Sequence, residues 1–290
     1  MNVWITDLID EYLKTREAED GKRDNTYFHP SEFYGCKRKM VYKYYHAIGV
    51  VQVDQEALHM NPRVQRIFDN GHYMHFRFGS YLSDHRCGGD ILKGRWKCKN
   101  VYAHQKAKIY GKKEPLGITK PKTKCECGCD DYEYMEVSFF DKDYLIGGQV
   151  DAIVIMEDQD VVIDYKSIGL NGFKKLFNKP KPAHCVQMQC YLYLSGLKLG
   201  KFLYECKDNQ HMKEIDVARN DQVIDEIVSD SKKLKEIINY VKSNGKRLIT
   251  PRSNSLNPKE EKIKYGTKTE EYTKKSYECL DCPFRSHCWG

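Results

Sequence analysis

Two aspartates and a lysine carry the most chemistry for their spacing in this 290-residue chain. Asp151, Asp164 and Lys166 sit in a stretch that reads as a β-hairpin. Val150, Ala152, Val154 and Met156 alternate with Asp151, Ile153 and Ile155, a polar turn covers Glu157–Asp160, and Val161, Val162 and Ile163 follow. With Glu157 paired to Asp160, Asp151 falls opposite Lys166 and Ile153 opposite Asp164. Period two then brings Asp151, Asp164 and Lys166 out on one face. Two carboxylates about 4 Å apart repel by roughly 4 kcal/mol at an effective dielectric of about 20. A lysine relieves part of that and a divalent cation relieves more. Paired carboxylates are hard oxygen ligands suited to Mg²⁺ or Mn²⁺. A lysine beside them can orient or deprotonate an attacking water, or offset the charge of a phosphate. The plain alternative is a surface hairpin with solvated charges, which Asp-x-Lys alone does not exclude.

The elements around this hairpin follow from periodicity. Residues 3–16 read as an amphipathic helix with Trp4, Leu8, Ile9 and Leu13 on one side. Ser31 is a good N-cap for a helix to about Tyr45, with Cys36 in its second turn. A longer helix begins at Pro62 and reaches about Asp84. It carries His72 and His75 one turn apart, either of which could face a metal or simply pack. Tyr132–Phe140 alternates like one strand. After a Gly-rich loop, a helix from Pro182 to about Leu197 puts Gln187 and Tyr191 on one face. A second hairpin covers Phe202–Ala218, and a helix runs from Asp221 to about Ser243. Strand, strand, helix, strand gives an α/β core with a mixed sheet.

Cysteines mark two further centres. Residues 86–142 hold Cys87, Cys98, Cys125, Cys127 and Cys129 with His104, around a lysine-rich stretch broken by Gly111, Pro115, Gly117 and Pro121. Such a segment buries too little apolar surface to order itself, and a zinc ion supplies the missing stability. The candidate zinc ligands are Cys98, His104, Cys125, Cys127 and Cys129. Their spacing does not select four, and free thiols in an insertion are the alternative. At the C-terminus Cys279, Cys282 and Cys288 form an incomplete set that Cys36 could complete. Closing so long a loop is worth roughly 5 kcal/mol in the chain-entropy model. Zinc and an iron–sulfur cluster both accept four Cys.

Composition sets the outer limits. The net charge is +7, with 21 Tyr and 12 Cys, and the mean hydropathy is −0.70. No apolar run approaches a membrane span, so a membrane protein is not expected. Asp7, Asp10 and Glu11 are out of place in a signal peptide. The expected location is the cytoplasm, or the host cytoplasm if the source is viral. Thiols there serve as metal ligands rather than disulfides. A basic, aromatic-rich chain is compatible with nucleic acid.

Taken together, the ordered motifs resemble the RecB-like branch of the PD-(D/E)XK nuclease superfamily. The similarity is to members with a four-Cys iron–sulfur cluster, such as CRISPR-associated RecB-like exonucleases and their phage relatives. Ser31-Glu32-Phe33…Cys36 resembles the segment with the first cluster Cys, and Gly71-x-x-x-His75 resembles the Gly-x-x-x-His helix motif. Gly148-x-x-Asp151, Asp164-Tyr165-Lys166 and Gln187-x-x-x-Tyr191 resemble the motifs that follow, and Cys279, Cys282 and Cys288 the terminal triplet. The resemblance implies a restriction-endonuclease-like α/β core, a central mixed sheet flanked by helices, plus the Cys-rich insertion. The implied regions are a helical 1–85, the insertion 86–142, a nuclease core 143–245 and a tail 246–290. It implies a Mg²⁺ or Mn²⁺ site at His75, Asp151, Asp164 and the Tyr165 carbonyl. Lys166 would act on water, with Gln187 and Tyr191 as further catalytic residues. It also implies a [4Fe-4S] cluster on Cys36, Cys279, Cys282 and Cys288. The expected activity is a metal-dependent deoxyribonuclease, an exonuclease on single-stranded DNA ends acting 5′ to 3′, in recombination, repair or replication. A recombination or replication protein is an expected partner, and the oligomeric state stays open. The alternatives are a catalytically inactive nucleic-acid-binding adaptor on the same fold, and a redox-responsive regulator using the cysteines.

Overall fold

The computed structural model describes residues 5–15, 23–53, 61–84, 86, 90–244, 263–265, 268–270 and 282–289. Cys87 and Cys279 lie outside these residues. Two compact units emerge: Met1–Asp69, Lys142–Leu145 and Val228–Gly290 form one, and Asn70–Asp141 and Ile146–Ile227 the other. No helix among the described residues is long and apolar enough to cross a membrane.

The second unit is built on a mixed sheet. Its strands are β1 (Leu92–Cys98), β2 (Ile109–Tyr110), β3 (Ile118–Thr119), β4 (Tyr132–Met135), β7 (Ala152–Met156), β8 (Gln159–Ile168), β9 (Leu199–Cys206) and β10 (Met212–Ala218). The order is β10-β9-β8-β7-β1-β2, with β3 and β4 also on β1. β8 and β9 run parallel, while β7–β8 and β9–β10 are antiparallel. Between β4 and β7, β5 (Val137–Asp141) and β6 (Ile146–Val150) form a separate hairpin. Helix α3 (Pro62–Ser83) contributes Met74 and Phe78 to a core with Ala152, Val154, Val161, Ile163 and Tyr165. On the other sheet face, α4 (Leu170–Lys175) and α5 (Pro182–Ser195) bring Phe173, Met188 and Leu192 against Ile153, Val162 and Phe202. The sheet is therefore flanked by helices on both faces. Gly196, at φ +73°, ends α5 in the left-handed conformation that glycine adopts without strain.

Three local expectations change. The β7–β8 hairpin pairs Met156 with Gln159, so its turn is only Glu157–Asp158, with φ of 49° and 60°. Two positive φ values match the twist of a two-residue hairpin. Continuing this register puts Asp151 opposite Asp164, not Lys166. The slip is two places, so the side-chain faces stay the same. Tyr132–Phe140 is two strands broken at Glu136, because β4 pairs with β1 and β5 with β6. In the first unit, the helix expected from Ser31 is divided. A 3₁₀ turn, Pro30–Glu32, closes with the His29 N–H donating to Glu32 Oε2 at 3.2 Å. Helix α2 (Lys37–Ala47) then starts afresh with Cys36 at its N-cap rather than in a second turn.

The first unit also contains α1 (Ile5–Thr15), most of α6 (Asp221–Asn244), the hairpin β11 (Ile263–Tyr265) with β12 (Lys268–Glu270), and α7 (Arg285–Trp289). Tyr42 of α2 stacks on Phe284, with centroids 5.6 Å apart. Its hydroxyl donates to the His287 carbonyl at 2.8 Å. The buried Lys37 meets Asp230 at 3.2 Å. Chain segments far apart in sequence thus meet around α2.

Candidate active site

Strand alternation builds the site. Val161, Ile163 and Tyr165 point to the core shared with α3. Val162 and Ile168 point to the core shared with α5. Asp164 and Lys166 therefore emerge toward α5. There the Lys166 ammonium donates to Asp164 Oδ1 at 2.8 Å and to Gln187 Oε1 at 3.0 Å. The Gln187 amide in turn donates to the Tyr191 hydroxyl at 3.1 Å. Asp151 is the one residue between β6 and β7. Its Oδ2 accepts the Tyr165 N–H at 2.6 Å, and its Oδ1 lies 3.1 Å from His75 Nδ1. The Tyr165 ring packs edge-on against His75, with centroids 5.7 Å apart. Arg77 ties α3 to Glu205 on β9, which fixes the turn that carries His75.

Glu136 joins this group, and the sequence reading passed over it. Ligand atoms of His75, Glu136 and Asp151 lie within 4.8 Å of one another. The signal was the break in alternation at residue 136, which looked like the middle of one strand. Asp164 stands outside that trio, yet its carboxyl is in contact with that of Asp151. Asp164 is buried, and its Oδ2 has no hydrogen-bond donor among the described residues. Its polar neighbour is another acceptor. Such a pair can share a proton or, once ionised, needs a cation. The donor set of three carboxylates and an imidazole fits a hard divalent ion such as Mg²⁺ or Mn²⁺.

Electrostatics report the same crowding. Burial, and then the Asp151 charge, push the Glu136 carboxyl up to about 7 against His75 and Gln149. Burial raises Asp164 well above the usual carboxylate range, with Lys166 opposing and Asp151 reinforcing it. Burial also works against ionised Asp151. The hydrogen bond and charge of His75, with Lys166, outweigh it and hold Asp151 below its ordinary value. For His75 burial lowers the value, but Asp151 raises it further. His184, also unmarked in the sequence, is held down to about 4 by burial, Lys166 and Lys181. It lies 2.7 Å from the Tyr204 hydroxyl.

The cysteine-rich stretch brings four of its five candidates together. Cys98, His104, Cys125 and Cys127 offer ligand atoms within 4.8 Å of one another. Cys129 is not in that set, and its thiol donates to the Asp131 carbonyl at 3.4 Å. Of the other four-Cys group, Cys36, Cys282 and Cys288 are described. Burial raises the Cys36 thiol, the Lys39 and Arg38 amides lower it, and Cys282 and Cys288 raise it further. Arg38 Nη1 is 3.3 Å from Cys288 Sγ.

Residues 118–289 match the family model described as the PD-(D/E)XK nuclease superfamily. The matched span includes Glu136, Asp151, Asp164 and Lys166, while His75 precedes it. Among solved structures, "Crystal structure of SSO0001" is 14% identical, with 98% of this chain and 96% of that chain covered and a TM-score of 0.45. LHK-Exo in complex with dAMP is 15% identical, covering 77% of this chain and 94% of that one, with a TM-score of 0.41. The alkaline exonuclease LHK-Exo from Laribacter hongkongensis is 22% identical over 38% of this chain and 63% of that one, with a TM-score of 0.31. No curated protein matches the sequence.

Proposed function

The chain belongs to the PD-(D/E)XK nuclease superfamily, and from that premise we propose that it is a Mg²⁺- or Mn²⁺-dependent deoxyribonuclease. The finer reading is a RecB-like exonuclease working 5′ to 3′ on single-stranded DNA ends in the cytoplasm, in recombination, repair or replication. It draws on the ordered motifs at residues 31–288. The observation that carries it is the buried Asp164 carboxylate beside the partly exposed Asp151, with Asp164 Oδ2 lacking a donor among the described residues and Lys166 bonded to Oδ1. Charge so arranged suits a cation and an anionic substrate meeting there.

Asp151, Asp164, Glu136 and His75 would hold the ion, with the Tyr165 carbonyl as a further ligand. When bound, the ion would supply Lewis acidity toward the phosphodiester and make the attacking water easier to deprotonate, and so a better nucleophile. Lys166, braced by Asp164 and Gln187, orients the attacking water and offsets charge building on the phosphate. Gln187 is in turn aimed by Tyr191, so these two position the lysine rather than touch the reacting atoms. His75 holds one Asp151 oxygen while the Tyr165 N–H holds the other, which fixes the plane of that carboxylate.

The test uses end-labelled single- and double-stranded DNA with Mn²⁺, Mg²⁺ or EDTA. Label placed at the 5′ end is released first, and EDTA stops the reaction. Lys166→Ala and Asp164→Asn each lower the rate about 10²–10⁴-fold while folding and DNA binding persist. Cleavage at the normal rate by both variants would overturn the reading. DNA binding without cleavage by the native chain would favour the adaptor instead.

A further inference from the structure

We propose that Cys98, His104, Cys125 and Cys127 hold one zinc ion, with Cys129 outside the set, and that the ion clamps the strand pair leading to Glu136. The geometry carries the argument. With Zn–S near about 2.3 Å and Zn–N near about 2.0 Å, a tetrahedron sets S···S edges at about 3.8 Å and S···N edges at about 3.5 Å. Cys98 Sγ and Cys127 Sγ are 3.7 Å apart, and Cys125 Sγ and His104 Nε2 are 3.4 Å apart. A disulfide would need about 2.05 Å, so the thiols are spaced for an ion rather than for each other.

The surroundings are those of a built site. Cys98 and Cys125 are buried. The His104 side chain is 7% exposed, and Glu126 Oε1 stands 3.7 Å from its Nδ1. A carboxylate on that side of the ring leaves Nε2 to face the sulfurs, as in metal-bound histidines. The Cys125–Cys129 turn closes with the Cys125 N–H donating to the Cys129 carbonyl and the Gly128 N–H to the Cys125 carbonyl, both at 2.7 Å. Gly128, at φ +81°, provides the left-handed residue this turn needs. Cys129 also neighbours Cys98, but its thiol donates to the Asp131 carbonyl and it stands outside the group of four whose ligand atoms lie within 4.8 Å of one another.

The clamp follows from register. Cys98 pairs with Tyr132, and the ladder runs back to Arg95 opposite Met135. The next residue is Glu136, in the carboxylate group. The other end of β1 pairs with β7, where Lys93 faces Ile153. An ion on Cys98 therefore fastens the far end of the ladder that delivers Glu136. Zinc binding itself does not depend on the proposed DNA cleavage.

The test counts zinc on the full chain by native mass spectrometry. Cys125→Ser is expected to hold one zinc fewer than the native chain, and Cys129→Ser the same number. Retention in Cys125→Ser, or equal loss in Cys129→Ser, would overturn the ligand set. If Cys125→Ser fails to fold, cadmium exchanged into the native chain decides by cadmium NMR. A resonance in the range of three sulfurs and one nitrogen supports the site, and its absence overturns it. Hydrogen exchange reads the clamp: stripping the zinc speeds exchange of the β1 and β4 amides about tenfold or more. Unchanged exchange there refutes the clamp.

Discussion

A proton and a divalent cation compete for the same oxygens at Glu136 and Asp164. Both carboxyls sit above their unfolded values of about 4. In the metal-free protein their contribution to stability is present below that unfolded range. It is lost as pH rises through about 7 for Glu136. Asp151 has the opposite sign, because its folded value is depressed. Its contribution appears above the unfolded value and is lost only in acid. Mn²⁺ relieves the repulsion that remains once Glu136 and Asp164 are ionised. The rise in Tm on adding Mn²⁺ should therefore be larger near about pH 8 than near about pH 6. An equal rise at both would contradict the assignment of these oxygens. Glu136→Gln removes one charge from the group. It should raise the metal-free Tm and weaken Mn²⁺ binding about 10–100-fold, measured by calorimetry.

Single glycines separate packing from function at the scale of strands and helices. A Cβ on Gly94 of β1 would lie 2.2 Å from Tyr134 Cε2 and 2.9 Å from the Met135 carbonyl. Gly94→Ala should cost about 1–3 kcal/mol in urea unfolding. It should also disturb Asp151, whose carbonyl accepts the Tyr134 hydroxyl at 3.2 Å. On α3 a Cβ at Gly71 meets nothing within 4 Å. Gly71→Ala should raise stability by about 0.5–1 kcal/mol. Lost cleavage in that stabilised variant would mark Gly71 as space kept for substrate. The strands of the β7–β8 hairpin were legible because Val, Ile and Ala alternate with few exceptions, and Pro182 marked the start of α5. The register was not legible, because Glu157 and Asp158 adopt positive φ without a glycine to announce it. β1 was hidden for a related reason. Its inward position at residue 94 is a glycine, chosen for the ring above it, so the apolar alternation lapses there. Glu136 was missed because the break in alternation there is one residue wide, with apolar and aromatic residues continuing on both sides.

The molecule as a whole carries its candidate metal ligands in both compact units. Cys36 at the head of α2 and Cys282 and Cys288 near the C-terminus belong to the first. If they share a [4Fe-4S] cluster with Cys279, protein purified without oxygen should be coloured by broad visible absorption. Cys288→Ser should bleach it. A colourless native chain holding zinc on those cysteines would remove the cluster and leave the nuclease reading intact. The resemblance in the sequence pointed to these four together because they recur in order, although Cys36 and Cys288 meet only once the chain is folded.

Asp151 alone separates Val150, paired in the β5–β6 hairpin, from Ala152, paired in the main sheet. Two ladders thus fix its position from either side, and no slack exists between them. Lengthening or shortening the chain by one residue between Ile146 and Met156 would turn every later side chain over, whereas the solvent-facing tip at Glu157–Asp158 could absorb added residues. Natural variation in length should therefore collect at that tip and be absent a few residues upstream.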